Sequence, residues 1–298
     1  MATLYDDLEK VIFDTIVRDI KKLKELAEKL TFVPEDFHLN AKLGRIVIQD
    51  RKDMLTGSKR LDWGMAELLA YASLLDEGFS LRLIGEDVQR GTFSHRHATL
   101  IDAENGNEYT SLKSINEKCK VEVENSLLSE EAAMGYEYGY AITAVNSLVV
   151  WEAQFGDFAN GAQVIIDQFI TAGETKWRLQ QGLVLLLPHG MEGQGAEHSS
   201  ARLERFLQLC AQGNMQICYL TSACQIYHAL RRQMLRPFRK PLVVMTPKSF
   251  LRSQRATTTL EEMSASQFEE VLDDKRITDP EKVERILLCT GKIALDLF

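Results

Sequence analysis

The sequence predicts an α/β fold with a mostly parallel sheet flanked by helices. Short apolar segments of four or five residues alternate with longer segments of helical periodicity, which is the pattern of βαβ units. Most of the strand segments are continuously apolar, as in sheets that are covered on both faces. Of the 298 residues, 45% are hydrophobic and 26% are charged, a composition typical of an ordinary globular protein.

The predicted elements can be placed in chain order. Apolar residues at helical spacing between residues 3 and 30 predict one or two amphipathic helices, a pattern that Pro34 ends. A turn of the hairpin type is expected at residues 105–107 (Asn-Gly-Asn), and a linker with short helices at 248–282. Helices are expected at 66–77, 130–142, 161–171, 201–210, 223–235 and 292–298, and strands at 81–84, 148–151, 183–187, 217–220, 242–245 and 285–289.

Charge and composition exclude several classes of protein. The net charge is −8, with 43 acidic and 35 basic residues and no basic stripe, which argues against a nucleic-acid-binding protein. No apolar run is long enough to span a membrane, and we expect no secretory signal at the N-terminus. The five cysteines are odd in number and form no C-x-x-C pair, so we expect reduced thiols and neither a disulfide framework nor a zinc site.

Ligands of open α/β sheets bind beyond the carboxyl ends of the strands, and four segments of this sequence are expected there. The first is 85–97, in which His95 and His97 flank an arginine. Two histidines in such a loop could bind an anion or move a proton. The alternative is a solvated loop with no chemical role.

The second segment, 127–133, begins a predicted helix. Ser129 is a good N-cap, and Glu130 and Glu131 suit the helix dipole, so a structural role alone explains all three residues. The functional alternative is a buried carboxylate that forms a hydrogen bond with a ligand nitrogen.

The third and fourth segments follow the next two strands and contain glycines beside aromatic or ionisable side chains. Phe158 could stack on a planar ring or belong to the core. The fourth segment contains three glycines, His189 and His198; its glycines allow a ligand to approach the backbone closely, but it matches no generic phosphate-binding motif. Lys248, beyond the last central strand, is either a surface lysine or an anion contact.

Five stretches carry a resemblance to a known family. They are GEDVQRGTFSHRHA, LLSEEAAMGYEYGYA, WEAQFGDFANGAQVIIDQF, LLPHGMEGQGAEHSSARLERFLQLC and RKPLVVMTPKSFLR. From about residue 24 to its end, the sequence resembles the decarboxylating component of 2-oxoglutarate dehydrogenase complexes, which are thiamine-diphosphate enzymes of the transketolase-like superfamily. The resemblance implies an N-terminal helical extension at 1–60, a pyrimidine-binding domain at 61–255, and a linker with the incomplete start of a C-terminal domain at 256–298.

The resemblance also implies the roles of individual residues. In the superfamily, a glutamate that opens a helix is followed nine residues later by a glycine, and Glu130 and Gly139 have that spacing. The aromatic residue that stacks on the aminopyrimidine lies 28 residues beyond that glutamate, which selects Phe158 over Phe155. His198, in AEHSS, matches the active-site histidine that faces the substrate.

Three further histidines, His95, His97 and His189, are carried over as candidates on the substrate side. The implied reaction is the oxidative decarboxylation of 2-oxoglutarate in the tricarboxylic acid cycle, with transfer of the succinyl group to a lipoyl group of a partner acyltransferase. Glu130 would hold the pyrimidine ring nitrogen and so promote removal of the thiamine C2 proton, and His198 would stabilise charge or move a proton near the reacting carbonyl.

The resemblance further implies a homodimer in the bacterial cytoplasm or the mitochondrial matrix. The sequence contains no Gly-Asp-Gly start of a magnesium motif, so we expect the magnesium ligands on a domain that precedes this one in the family. Two alternatives stay open. One is a β-type subunit of another 2-oxo acid dehydrogenase that needs a separate diphosphate-binding chain. The other is a truncated, non-catalytic fragment.

Overall fold

A computed structural model describes residues 18–297 and has a six-stranded parallel sheet at its centre. The strands, in chain order, are β1 (Ser80–Gly85), β2 (Thr99–Ile101), β3 (Glu108–Thr110), β4 (Val121–Asn125), β5 (Ser147–Glu152), β6 (Val184–Pro188), β7 (Gln216–Cys218) and β8 (Leu242–Thr246). The order in the sheet is β4-β1-β5-β6-β8-β7, with all neighbours parallel, while β2 and β3 form a separate antiparallel hairpin. The predicted α/β class is therefore confirmed.

Helices cover both faces of the sheet. They are α1 (Ile20–Thr31), α2 (the consecutive pieces Ala41–Leu43, Gly44–Gln49 and Asp50–Thr56), α3 (Trp63–Asp76), α4 (Glu130–Thr143), α5 (Gln163–Ile165 and Ile166–Ile170), α6 (Gly173–Trp177), α7 (Leu203–Leu209), α8 (Ala223–Leu235), α9 (Leu260–Ala265) and α10 (Lys292–Asp296). Short 3₁₀ turns lie at Ser111–Ser114, Gly156–Ala162, Ala196–His198, Ser249–Arg252, Gln254–Ala256 and Pro280–Lys282. Within residues 18–297 no helix has the length and apolar character needed to span a membrane.

Successive strand residues point to opposite faces of the sheet, so uniformly apolar strands build two cores. The larger core packs α1, α3 and α8 against side chains such as Leu83 and Val244. The second core packs α4 and α5 against the alternate residues, among them Trp151 and Val243. Helix α1 belongs to the first of these cores, because its residue Leu26 is buried there.

The structure differs from the sequence prediction at several places; strands β2 and β3 and helix α6, for example, were not predicted as elements. Strand β4 was not predicted, because the alternation of valine with glutamate in VEVEN gives no continuous apolar run. Helix α2 lies in a segment that the sequence analysis left without elements. The predicted strand at 285–289 is wrong: these residues are exposed coil, and none of the described residues pairs with them as a neighbouring strand. The part of the predicted first helix between residues 3 and 17 lies outside the described residues.

Candidate active site at the carboxyl edge of the sheet

The parallel sheet brings the four predicted segments to one edge. Because all six strands run the same way, their carboxyl ends lie along a single edge of the sheet. Strand β1 leads into the loop with the first histidines, β4 into α4, β5 into the 3₁₀ turn Gly156–Ala162, and β6 into the glycine-rich loop at 189–202. Segments that are separated by more than 100 residues in sequence are therefore neighbours here.

Four rings from three of these segments form a cluster, which we call the aromatic cluster: Phe93, Phe155, Phe158 and His198. The centroid of the His198 imidazole lies 4.6 Å from that of Phe155 and 5.2 Å from that of Phe158, with both pairs edge to face. Phe93 contacts Phe155 at 5.6 Å. The predicted residues Phe158 and His198 therefore lie together, and Phe155, the alternative to Phe158, lies between the loops.

Glu130 begins helix α4, whose first turn is capped by Ser129; the Ser129 hydroxyl accepts a hydrogen bond from the Ala132 amide. The side chain of Glu130 is half-buried over Gly161, where an added Cβ would come within 3.1 Å of Oε2. Within the part of the chain that is described, the Glu130 carboxylate has no hydrogen-bond or ion-pair partner. The neighbouring Glu131 is exposed.

A small, shallow cleft opens beside Glu130. Two further carboxylates line it: Glu86, just beyond β1, and Glu152, at the end of β5. Burial, together with the charges of Asp87 and Glu130, raises the pKa of Glu86. Because both oxygens of Glu152 accept hydrogen bonds from Arg96, Glu86 and Glu130 are the carboxylates of this cleft that could accept from the N–H groups of a ligand.

A buried ion network supports this edge of the sheet. The Arg96 guanidinium is fully buried and forms two parallel hydrogen bonds with Glu152, at 2.7 and 2.6 Å, and a third with Glu67 of α3, at 2.6 Å. A second buried guanidinium, that of Arg51, donates to the carbonyls of Arg96 and His97. The sequence analysis did not identify this network, because its members are far apart in the chain.

The two histidines that flank Arg96 are placed differently. His95 lies against Gly91, and its Nδ1 atom is buried without a hydrogen-bond partner among the described residues. His97 is buried and makes none of the ring contacts of the aromatic cluster. Burial and nearby arginines lower the pKa of His95 well below its usual value and that of His97 to about 4. Both imidazoles are therefore neutral at pH 7.

His189 follows β6 and holds the end of the glycine-rich loop. Its Nδ1 atom accepts a hydrogen bond of 3.0 Å from the Ala201 amide, so the neutral ring carries its proton on Nε2. Burial and the charge of Lys248 lower the pKa of His189. Its ring also contacts Tyr219, with the centroids 5.3 Å apart.

Lys248 is not a surface lysine, the first of the two alternatives predicted for it. It is buried, and its ammonium group donates to the backbone carbonyls of Gly190 and His198. Asp157, which the sequence analysis did not single out, accepts a hydrogen bond from the Ser200 amide. No local pattern reveals either residue, because both act on backbone atoms that lie more than 40 positions away.

Comparison with known proteins identifies the family. The family model described as "Transketolase, pyrimidine binding domain" matches residues 59–254. The chain is 54% identical over 279 residues to the 2-oxoglutarate dehydrogenase E1 component of Coxiella burnetii, and 54% identical over 280 residues to that of Azotobacter vinelandii. The aligned segment is 93% of this chain in the first case and 94% in the second, and 30% of each relative.

A third relative, the 2-oxoglutarate dehydrogenase E1 component of Cupriavidus necator, is 51% identical over 289 residues, which are 95% of this chain and 30% of the relative. The chain thus spans about 30% of the length of these relatives. The family model accounts for most of the sheet and for every residue of the aromatic cluster. The chain therefore belongs to the family of transketolase pyrimidine-binding domains.

Proposed function

We propose that this chain supplies the pyrimidine-binding half of a thiamine diphosphate site in a 2-oxoglutarate dehydrogenase. The observation that carries the proposal is the Glu130 carboxylate, which is half-buried over Gly161 and has no partner among the described residues. A partly desolvated carboxylate gains from a ligand that donates a hydrogen bond to it or shares a proton with it. The relatives named above favour 2-oxoglutarate as the substrate.

The described residues fit the aminopyrimidine. Glu130 would accept from the protonated ring nitrogen, and the missing Cβ of Gly161 leaves room beside Oε2. Phe158 lies in the same 3₁₀ turn as Gly161 and offers a ring for stacking. When bound, thiamine diphosphate supplies a carbon nucleophile and an electron sink for loss of carbon dioxide from a 2-oxo acid.

The residues of this chain would bind, orient and move protons. Glu130 holds a proton at the pyrimidine ring nitrogen, in a cleft that Glu86 also lines. His198, packed edge to face against Phe158, stabilises charge or moves a proton at the substrate carbonyl.

The other histidines are proposed for the substrate side. His189 presents Nε2–H as a donor, because the Ala201 amide occupies Nδ1. His95 and His97, neutral at pH 7, would border the same space as hydrogen-bonding groups that carry no charge.

The remaining parts of the proposal concern groups outside this chain's described residues. Magnesium and the diphosphate would be held by a separate domain. The succinyl group would pass to a lipoyl group of a partner acyltransferase. We further propose that the protein forms a homodimer in the bacterial cytoplasm or the mitochondrial matrix. Within the chain we propose an N-terminal helical extension at 1–60, a pyrimidine-binding domain at 61–255, and a linker with the incomplete start of a C-terminal domain at 256–298.

Calorimetry with thiamine diphosphate and magnesium tests this proposal. We expect the 298-residue chain alone to bind the cofactor weakly, because it would supply only the pyrimidine contacts. Adding the segment that precedes the aligned region in the Azotobacter vinelandii relative should produce magnesium-dependent binding and release of carbon dioxide from 2-oxoglutarate. Absence of cofactor binding in the mixture would contradict the proposal, and release from pyruvate instead would favour a β-type subunit of another dehydrogenase.

A further inference from the structure

The loop at 190–198 holds its shape although its sequence favours flexibility. It contains three glycines, and two of them, Gly190 and Gly193, adopt positive φ values of +133° and +87°. Such a loop loses much conformational freedom when it is fixed in one arrangement. It nevertheless ends at His198, whose ring packs edge to face against two phenylalanines. Specific contacts must therefore hold the loop in place.

The buried ammonium of Lys248 ties the two ends of this loop together. Its Nζ atom donates a hydrogen bond of 2.8 Å to the Gly190 carbonyl and another to the His198 carbonyl. The side chain is only 5% exposed, and the ammonium lies 5.4 Å from the centroid of the Phe155 ring. A charged donor that is buried this far needs its acceptors, so each of the two carbonyls is held firmly.

Two further side chains fix the residues that follow His198. Asp157 Oδ2 accepts from the Ser200 amide at 3.0 Å, and His189 Nδ1 accepts from the Ala201 amide at 3.0 Å. The other oxygen of Asp157 is buried without a partner among the described residues. Burial lowers the pKa of Lys248, and the negative charges of Asp157 and Glu192 oppose that shift. The far end of the loop is thus fastened to the segment that carries Phe155 and Phe158.

We propose that Lys248 is a positioning residue for the proposed reaction: by binding the carbonyls of Gly190 and His198, it closes the loop and holds the His198 imidazole at the edge of the Phe158 ring. Only the catalytic part of this inference rests on the proposed function. The closing of the loop is a property of the chain itself and can be measured without any cofactor.

Hydrogen–deuterium exchange of the 298-residue chain tests the loop closure. Lys248→Met removes both hydrogen bonds and keeps a similar volume, so amides at 190–201 should exchange at least about tenfold faster. Lys248→Arg retains a charged donor and should restore part of the protection. Lys118→Met, at an exposed lysine, is the matched control and should change nothing. The amides of β6, measured in the same samples, report whether the sheet stays folded.

Steady-state kinetics of the enzyme assembled with the rest of the protein tests the positioning role. Lys248→Met should lower kcat about 10- to 100-fold, the effect of a misplaced catalytic group, with the Kd of thiamine diphosphate changed less than about twofold. Lys248→Arg should recover part of kcat. Unchanged loop exchange, or an unchanged kcat, would overturn this inference, whereas an inactive wild-type assembly would contradict the proposed function instead.

Discussion

Two adjacent glutamates show how much a single position matters in this chain. Glu130 and Glu131 follow the same N-cap, and both suit the positive end of α4. One helical position turns the side chain by about 100°, so Glu130 lies over Gly161 while Glu131 faces solvent. The capping explanation accounts for Glu131 completely. It does not explain why the carboxylate of Glu130 faces a glycine backbone that leaves space beside it.

Glutamine substitutions separate these two roles. Glu130→Gln keeps the size of the side chain but removes the carboxylate, so decarboxylation of 2-oxoglutarate by the assembled enzyme should fall at least about 100-fold. Glu131→Gln, the matched control one residue away, should retain activity within about twofold. Carbon dioxide release under saturating cofactor is the measurement. Equal activities of the two variants would remove Glu130 from the proposed site.

At the scale of elements, the sequence predicted what depends on local patterns. Helix α8 was predicted with its observed ends, because it has a serine cap and helical periodicity between two loops. Strands β5, β6 and β8 were found because each contains a continuous apolar run. Strand β4 was missed because it is a half-covered edge strand with alternating charges. The strand predicted at 285–289 is wrong for the opposite reason: the segment is mostly apolar but has no pairing partner among the described residues, and it is coil.

The residues of the candidate site fall into two groups: those that a local sequence pattern indicates and those that it does not. The family's spacing selected Glu130 and Phe158 as candidates, the AEHSS match selected His198, and the structure brings the rings of Phe158 and His198 into contact. Lys248 and Asp157 could not be assigned a role, because their partners are backbone atoms on a different loop. Most lysines lie on the surface, so the sequence alone does not indicate that Lys248 is buried and donates to two backbone carbonyls.

A buried side chain fastens the loop that carries the first two histidines to two neighbouring elements. Arg96 connects it to α3 through Glu67 and to β5 through Glu152. Removing the guanidinium would leave two buried carboxylates without their counter-charge. Breaking a buried pair in this way costs about 3–5 kcal/mol, whereas an exposed ion pair contributes about 0–1 kcal/mol.

Chemical denaturation of two variants tests this difference within one loop. Arg96→Met should lower the free energy of unfolding by about 3 kcal/mol or more. Arg90→Met is the matched control, because Arg90 forms an exposed ion pair with Asp87, at 3.1 Å, and its loss should cost less than about 1 kcal/mol. Similar losses in both variants would show that the buried network contributes no more than a surface contact.

At the scale of the whole molecule, several histidines are held neutral inside a protein of net negative charge. Burial lowers the pKa of His97 and of His228 to about 4, and those of His95 and His189 also lie below the usual value. In the unfolded chain these groups titrate near pH 6.5. Between about pH 6.5 and 4 the unfolded state therefore binds more protons than the folded state, and the free energy of unfolding falls as the pH falls.

His228, in α8, allows this prediction to be tested away from the candidate site. Its Nε2 atom lies 3.2 Å from the Ser266 hydroxyl, and its share of the stability difference between pH 7 and pH 5 should be roughly 2 kcal/mol. Urea unfolding of His228→Gln at both pH values should show a difference smaller by about that amount. Lys118→Met, at an exposed lysine, is the control and should leave the difference unchanged. An unchanged pH dependence in His228→Gln would mean that this imidazole titrates alike in the folded and unfolded chains.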